Sequence, residues 1–325
     1  MVSLKPLLFL FVLGVSLSGT CARAQQPTPS TGPDADALVK LGIASGTKGD
    51  VNGAIAFFNQ AIQADPKFAL AYQNRGFAFS LQNNLDAAIA DYDQAIQLDP
   101  QYVEAYYNRG TAKGQKGDFD GAITDFNHVL ELHPQTPPAY YNRGHAKYFK
   151  GDLEGATSDL NQAIAMAPAH ASAYFIRGLV RHAQGDGVGA GSDFKTSADD
   201  GFYYGAFWFW IVKMEAADQG IAHQELSDYA AKPGFFQNDT WAPLIADFLL
   251  GKITQDQLMA KAQAAGVTND RFGEAWFYAG MVKILSGDIK GAQDCFQKSI
   301  ATQAKGSEEV TEAQRELTKL QPPGL

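Results

Sequence analysis

The sequence predicts an all-α chain, a solenoid of repeated helix hairpins, on three observations. First, the stretch ALAYQNRGFAFSLQNNLDAAIADYDQAIQLDPQY at 69–102 returns after 34 residues, with AYYNRG at 105–110 and 139–144 and AYFIRG at 173–178. Second, the later halves recur in step, as AAIADYDQAIQLDP, GAITDFNHVLELHP and GATSDLNQAIAMAP. Third, apolar and aromatic residues inside each block fall at helical spacing, with Gly-Asp or Asn-Asn between two helices and Pro after the second. A single such hairpin cannot bury both its faces, so blocks must stack.

In chain order, residues 1–24 read as a secretory signal. Lys5 precedes the apolar run at 7–17, too short to span a bilayer, and Ala22-Arg23-Ala24 has the small-x-small pattern of a cleavage site. Cys21 offers a rival reading, an outer-membrane lipoprotein, but Thr20 is bulkier than the small residue that precedes a lipidated cysteine. The expected location is therefore periplasmic or secreted. Residues 25–34 are a Pro-rich flexible linker. Repeat frames begin at 35, 69, 103, 137 and 171, filling 35–204; the first is weaker, and the fifth has Phe202 where Pro is expected. Residues 205–272 lose the pattern yet hold four helical stretches and span two frames, so they read as two degenerate helix pairs. The pattern resumes at 273–306, seven periods after residue 35, with Trp276, Gly280, Ala292 and Phe296. Residues 307–325 read as a polar capping helix and tail, with Ser307 as N-cap ahead of Glu308 and Glu309.

The early aromatic, the Gly four places later, the Ala, aromatic, Ala series and the closing Pro resemble the tetratricopeptide repeat over 35–204 and 273–306. That resemblance implies a right-handed superhelix whose first helices line a concave groove. Gly76, Gly110, Gly144 and Gly178 stand inside first helices, where Gly costs about 1 kcal/mol against Ala. Close packing is the expected reason, with Ala88, Ala122, Ala156 and Ala190 facing them.

Four frames pair Arg at the seventh place with Asp at the twenty-third: Arg75 with Asp91, Arg109 with Asp125, Arg143 with Asp159 and Arg177 with Asp193. The first frame instead has Leu41 and Phe57, and the last Ala279 and Cys295. Charge goes with opposite charge and apolar with apolar, which predicts contact across each hairpin. Cys295, standing where Phe57 stands, is expected to be a packing thiol.

The formal charge is −9, or −11 once Lys5 and Arg23 leave with residues 1–24, which contain no acid. Nucleic-acid binding needs a basic face and is not expected. The mature chain carries no apolar run long enough to cross a membrane. The six histidines are scattered and no metal, cofactor or catalytic motif is present, so no enzymatic chemistry is expected. The acid pairs Asp199-Asp200 and Glu308-Glu309 read as solvated or dipole-compensating groups at helix ends.

Mapping the groove of the resembled family onto this chain picks out Asn74, Phe77, Tyr107, Asn108, Tyr141, Asn142, His145, Tyr148 and Phe175. Aromatics would hold apolar side chains of a protein or peptide, and the asparagines its backbone. The charged clamp by which related chaperone-binding proteins grip a C-terminal carboxylate is missing, since the fifth places hold Val39, Gln73, Tyr107, Tyr141 and Phe175. Trp241 and the runs at 249–259 and 276–300 resemble NlpI-type bacterial envelope lipoproteins. This resemblance implies a homodimeric, non-catalytic adaptor that brings cell-wall hydrolases together with each other or with a protease. The alternative is a homo-oligomeric scaffold whose groove is filled by its own chain.

Because the small-x-small pattern ends at Ala24, the mature chain should begin at Gln25. N-terminal mass spectrometry checks this, and a diacylglyceryl Cys21 would refute it.

Overall fold

The computed structural model describes residues 34–237, 239–302 and 307–321. The readings of a leader at 1–24 and of the linker up to residue 33 lie outside them. Among the described residues the chain is entirely helical, with seventeen helices and no strand. They form two compact units, 34–143 and 144–321.

The first unit holds the hairpins α1 (Ala35–Thr47) with α2 (Val51–Ala64), α3 (Ala69–Leu81) with α4 (Leu85–Leu98), and α5 (Val103–Gln115) with α6 (Phe119–Leu132). The start of α7 (Pro137–Lys150) also belongs to it. The second unit contains α8 (Leu153–Met166), α9 (Ala171–Ala183), α10 (Gly187–Asp199), α11 (Tyr203–Glu215), α12 (Gln219–Ala231), α13 (Ala242–Leu249) and α14 (Gln255–Ala264). It ends with α15 (Asn269–Leu285), α16 (Ile289–Ala301) and α17 (Glu308–Lys319).

The hairpin turn is written in two residues. Gly117 adopts φ +82°, open to glycine at no steric cost, and Asn83, which stands at the same place, adopts φ +58°. The next residue caps the second helix: Asp118 accepts from the Gly121 amide at 3.0 Å, and Asp50, Asp152, Asp186 and Asp288 do the same in their hairpins.

The glycine inside each first helix makes room chiefly for the ring or branched side chain of the second helix, rather than for its alanine. A methyl group added at Gly178 would lie 2.5 Å from the Phe194 ring, and at Gly280 2.4 Å from Phe296. At Gly76 the obstacles are the Tyr92 ring and the Ala88 carbonyl. Close packing thus outweighs the helical cost of glycine.

Three of the Arg–Asp pairs, each within one unit, touch as the covariation predicts. Arg75 donates Nε and Nη2 to the two oxygens of Asp91 at 2.8 and 2.7 Å. Arg109 holds Asp125 and Arg177 holds Asp193 in the same fork. The remaining Nη1 reaches back to the second helix of the preceding hairpin: Arg75 to Asn59, Arg109 to Asp93, Arg143 to Asn127 and Arg177 to Asn161, at 2.6–2.8 Å. Each guanidinium also lies 5.3–5.6 Å from the ring of the tyrosine three residues before it, Tyr72, Tyr106, Tyr140 or Tyr174. One side chain therefore closes a hairpin and ties it to its neighbour. The uncharged copies differ from each other. Ala279 and Cys295 are both buried, whereas Leu41 is 51 % exposed and only Phe57 packs against the core of the first hairpin.

Residues 205–272 contain the four expected helices, but the second pair is not a full repeat. α13 has 8 residues and α14 has 10, against 13 in both α11 and α12. α11 consequently meets α15 directly: Trp208 stacks on Phe277 with centroids 5.4 Å apart, and Phe207 meets Tyr278 edge-on at 5.7 Å.

The clamp makes a graded prediction. Asp125 has a second cation, Lys113 at 2.9 Å, while Phe79 occupies the matching place beside Asp91. Arg75→Leu strands a buried carboxylate and should cost about 3 kcal/mol, against about 1–2 kcal/mol for Arg109→Leu. Thermal or urea melts showing the reverse order would refute this account.

Candidate functional site: the first-helix face and the helix seated on it

In the first unit the asparagine row is already engaged. Asn74 Nδ2 donates to the Leu70 carbonyl at 2.8 Å, Asn108 Nδ2 to Gln73 Oε1 at 3.2 Å, and Asn142 Nδ2 to the Tyr107 hydroxyl at 2.9 Å. Asn108 and Asn142 thus join the sixth place of one repeat to the fifth of the one before, and these amide bonds go to the chain rather than to a peptide. Tyr107 and Phe77 remain half-buried, Tyr107 with its ring 5.8 Å from Phe126, and Tyr141 is buried. Ile43, in the first repeat, is exposed.

In the second unit the same face is covered by α17. Glu308 Oε1 lies 3.0 Å from His145 Nε2, and the Tyr148 hydroxyl donates to Glu312 Oε1 at 2.5 Å. Arg315 pairs with Glu312, donates Nη2 to the Tyr148 carbonyl at 2.8 Å, and sits 4.2 Å from the centroid of the Tyr148 ring. Burial and the neighbouring Glu312 raise the Tyr148 hydroxyl well above its ordinary range, so it stays protonated and donates. Tyr148 is completely buried, and Phe175 packs among Phe194, Phe202 and Tyr204. His145, Tyr148 and Phe175 are thus built into packed structure, not an open aromatic strip. Replacing Tyr148 by Ala would empty a core position.

The capping helix differs from its expected role in the same way. Ser307 does cap it, accepting from the Val310 amide at 3.3 Å. Glu308 and Glu309, read as solvated or dipole-compensating, are not solvated but buried, and so are Glu312 and Glu316. A sequence reading assigns such an acidic face to water, because nothing local announces the His and Tyr donors waiting about 160 residues upstream. The only local hint is the spacing of Glu308, Glu312 and Glu316, which puts three carboxylates on one stripe.

Behind α17 lies a second polar cluster that the sequence reading did not name. Glu274 on α15 accepts from Trp241 Nε1 at 3.0 Å and faces the Tyr204 hydroxyl at 3.5 Å. Asp239 receives Arg271 Nη2 at 2.9 Å, the Tyr203 hydroxyl at 3.1 Å and the amides of Trp241 and Ala242, which begin α13. These bonds hold Asp239 below the usual carboxylate range even though burial opposes it. Burial pushes Glu274 up to about 8, with Arg271 pulling the other way. Burial and the nearby Glu274 and Glu308 raise Glu309 well above its ordinary value. For both groups burial favours the neutral carboxyl over the charged form. Cys295 is buried too, and burial raises its thiol above the ordinary range, in keeping with a packing role.

Models of the tetratricopeptide repeat match residues 35–68, 57–90, 78–117, 103–135 and 141–201. This chain is a tetratricopeptide-repeat protein. No curated protein matches it. Among solved structures, PilW, a type IV pilus biogenesis factor, is similar, with 18 % identity and a TM-score of 0.56, covering 67 % of this chain and 97 % of PilW. Pseudomonas aeruginosa pilF is 15 % identical, with a TM-score of 0.52 over 64 % of this chain and 94 % of its own. MamA from Desulfovibrio magneticus, from residue 41 to its end, is 17 % identical with a TM-score of 0.50, over 52 % of this chain and 96 % of its own. At these identities the likeness speaks for the fold. As a tetratricopeptide-repeat protein the chain is a scaffold for protein–protein interaction, and among the described residues no helix is long and apolar enough to cross a membrane.

The raised carboxyls set a pH dependence. An unfolded Glu274 would release its proton near 4.5, while the folded one keeps it to about 8, so the folded state binds more protons between those values. The stability this group contributes is full below about 4.5 and is lost as pH rises through 8. Glu274→Gln should therefore raise the melting temperature at pH 8 by more than at pH 5. An equal effect at both would show that the group is not titrating in that window.

Proposed function

We propose that this protein is a non-catalytic adaptor that holds a segment of a partner protein on the first-helix face of repeats one to three. The observation that carries this reading is α17: in the second unit the chain seats a helix of its own on the equivalent face, through His145, Tyr148 and buried glutamates. Such a surface holds a helix by a few anchored side chains, which is how helix-in-groove recognition works. In the first unit, Ile43 is exposed and Phe77 and Tyr107 are half-buried, so apolar surface is on offer there. With one amide hydrogen of each asparagine bonded inside the chain, the apolar anchors carry most of the binding. The net negative charge would steer basic segments toward it, with a salt dependence.

Sequence supports the setting. The leader read at 1–24 puts the adaptor in the periplasm or outside the cell, and the resemblance over 205–300 to NlpI-type proteins points to envelope proteins, cell-wall hydrolases or a protease among them, as partners of a homodimer. The same α17 contact favours a second reading, a homo-oligomeric scaffold whose groove is self-filled.

The two readings part on one experiment. Ile43→Ser with Phe77→Ala should remove crosslinked partners recovered from intact envelopes by at least about tenfold, because anchors of this kind each contribute on the order of 1–2 kcal/mol. Melting should move little, since neither side chain is fully buried. Full recovery of partners by the double variant would discard the groove of the first three repeats and leave the self-filled scaffold.

A further inference from the structure

We propose that His182 on α9 and Glu312 and Glu316 on α17 form a binding site for a first-row transition-metal dication such as zinc. The cation would fasten the acidic helix to the repeat stack. An imidazole nitrogen of His182 and one oxygen from each carboxylate lie within 4.8 Å of one another. In a tetrahedral site with bonds of ~2.1 Å the donors stand about 3.4 Å apart, so small side-chain rotations close the set. Glu312 and Glu316 are four residues apart on one helix and share a face. One imidazole with two carboxylates suits zinc, manganese or cobalt better than magnesium or calcium.

A second observation points to a ligand. His182 Nε2 lies 3.0 Å from Glu215 Oε2. A carboxylate can only accept, so in the neutral imidazole that bond places the proton on Nε2 and leaves a lone pair on Nδ1. Among the described residues the buried Nδ1 has no hydrogen-bond partner, and neither has Glu312 Oε2, in side chains only 7 % and 1 % exposed. A carboxylate that orients a histidine through one nitrogen while the other faces a cation is the usual outer shell of a metal site. Arg315 and Lys319 neutralise Glu312 and Glu316 through Oε1 of each carboxylate, which leaves Oε2 for a metal. The competing account is a plain ion pair, a protonated His182 among glutamates. Glu215 and Glu312 do favour that charged form against the cost of its burial.

The test is zinc titration of the purified, chelator-treated full chain by calorimetry, with thermal melts alongside. One saturable site per chain and a rise in melting temperature are expected. His182→Ala and the double variant Glu312→Gln, Glu316→Gln should abolish that site while circular dichroism keeps its helical shape. Glu215→Gln, which touches no metal, should weaken it about tenfold at unchanged stoichiometry. If His182→Ala does not fold, nitrogen-15 spectra of the six histidines decide. The imidazole that shifts with stoichiometric zinc must be the one whose signal Glu215→Gln also perturbs. No saturable binding, or binding unchanged in His182→Ala, overturns the site in favour of the ion pair. Because Ile43 and Phe77 take no part here, this result stands or falls apart from partner capture.

Discussion

The structure depends most on one guanidinium in each of the four repeats that begin at 69, 103, 137 and 171. A solenoid has two kinds of joint, the one inside each hairpin and the one between hairpins, and both must hold before any face is rigid enough to bind. Here the forked bond to Asp closes the first and the third nitrogen closes the second, while a tyrosine ring covers the exposed side of the cation. Lysine could not do this, since the job needs several donors in a fixed plane. The glycine beside each arginine works at the same joint by letting the ring of the second helix come close.

Against that regular lattice the second unit is built differently. Its later helices bring Glu274, Glu308, Glu309, Glu312 and Glu316 under cover, an arrangement that apolar packing would not choose. Two solutions coexist there. Glu308 and Glu312 bond to His145 and Tyr148, whereas burial raises Glu274 and Glu309 above the ordinary carboxylate range and so favours their neutral form. A helix docked through such groups is bound by a few specific contacts rather than by a broad apolar seam.

The candidate site was legible in part. The places expected to line a first-helix face are what the tetratricopeptide resemblance implies, and of these Phe77 and Tyr107 are half-buried. The asparagines were misread because their partners are in the adjacent repeat, at the place a peptide backbone was expected to fill. Tyr148 and His145 were misread for a related reason: position in a repeat says which way a side chain points, but not what covers it. Phe175 shows the same limit, since its ring is enclosed by Phe202 and Tyr204 where the fifth repeat departs from its pattern.

By itself the sequence determined the helices, their pairing and the intra-hairpin ion pairs, because these rest on residues close in the chain and on a pattern written several times over. The Arg–Asp covariation needed only two helices of one hairpin to meet. Only the tertiary structure decided that α17 lies on the face of the second unit, that α13 and α14 are too short to keep α11 from α15, and that acidic residues form part of a core. Those outcomes join residues as far apart as Tyr148 and Glu312, or Trp208 and Phe277, in stretches present once. A carboxylate looks solvated in any local window, and whether it is buried depends on a donor that only the folded chain brings to it.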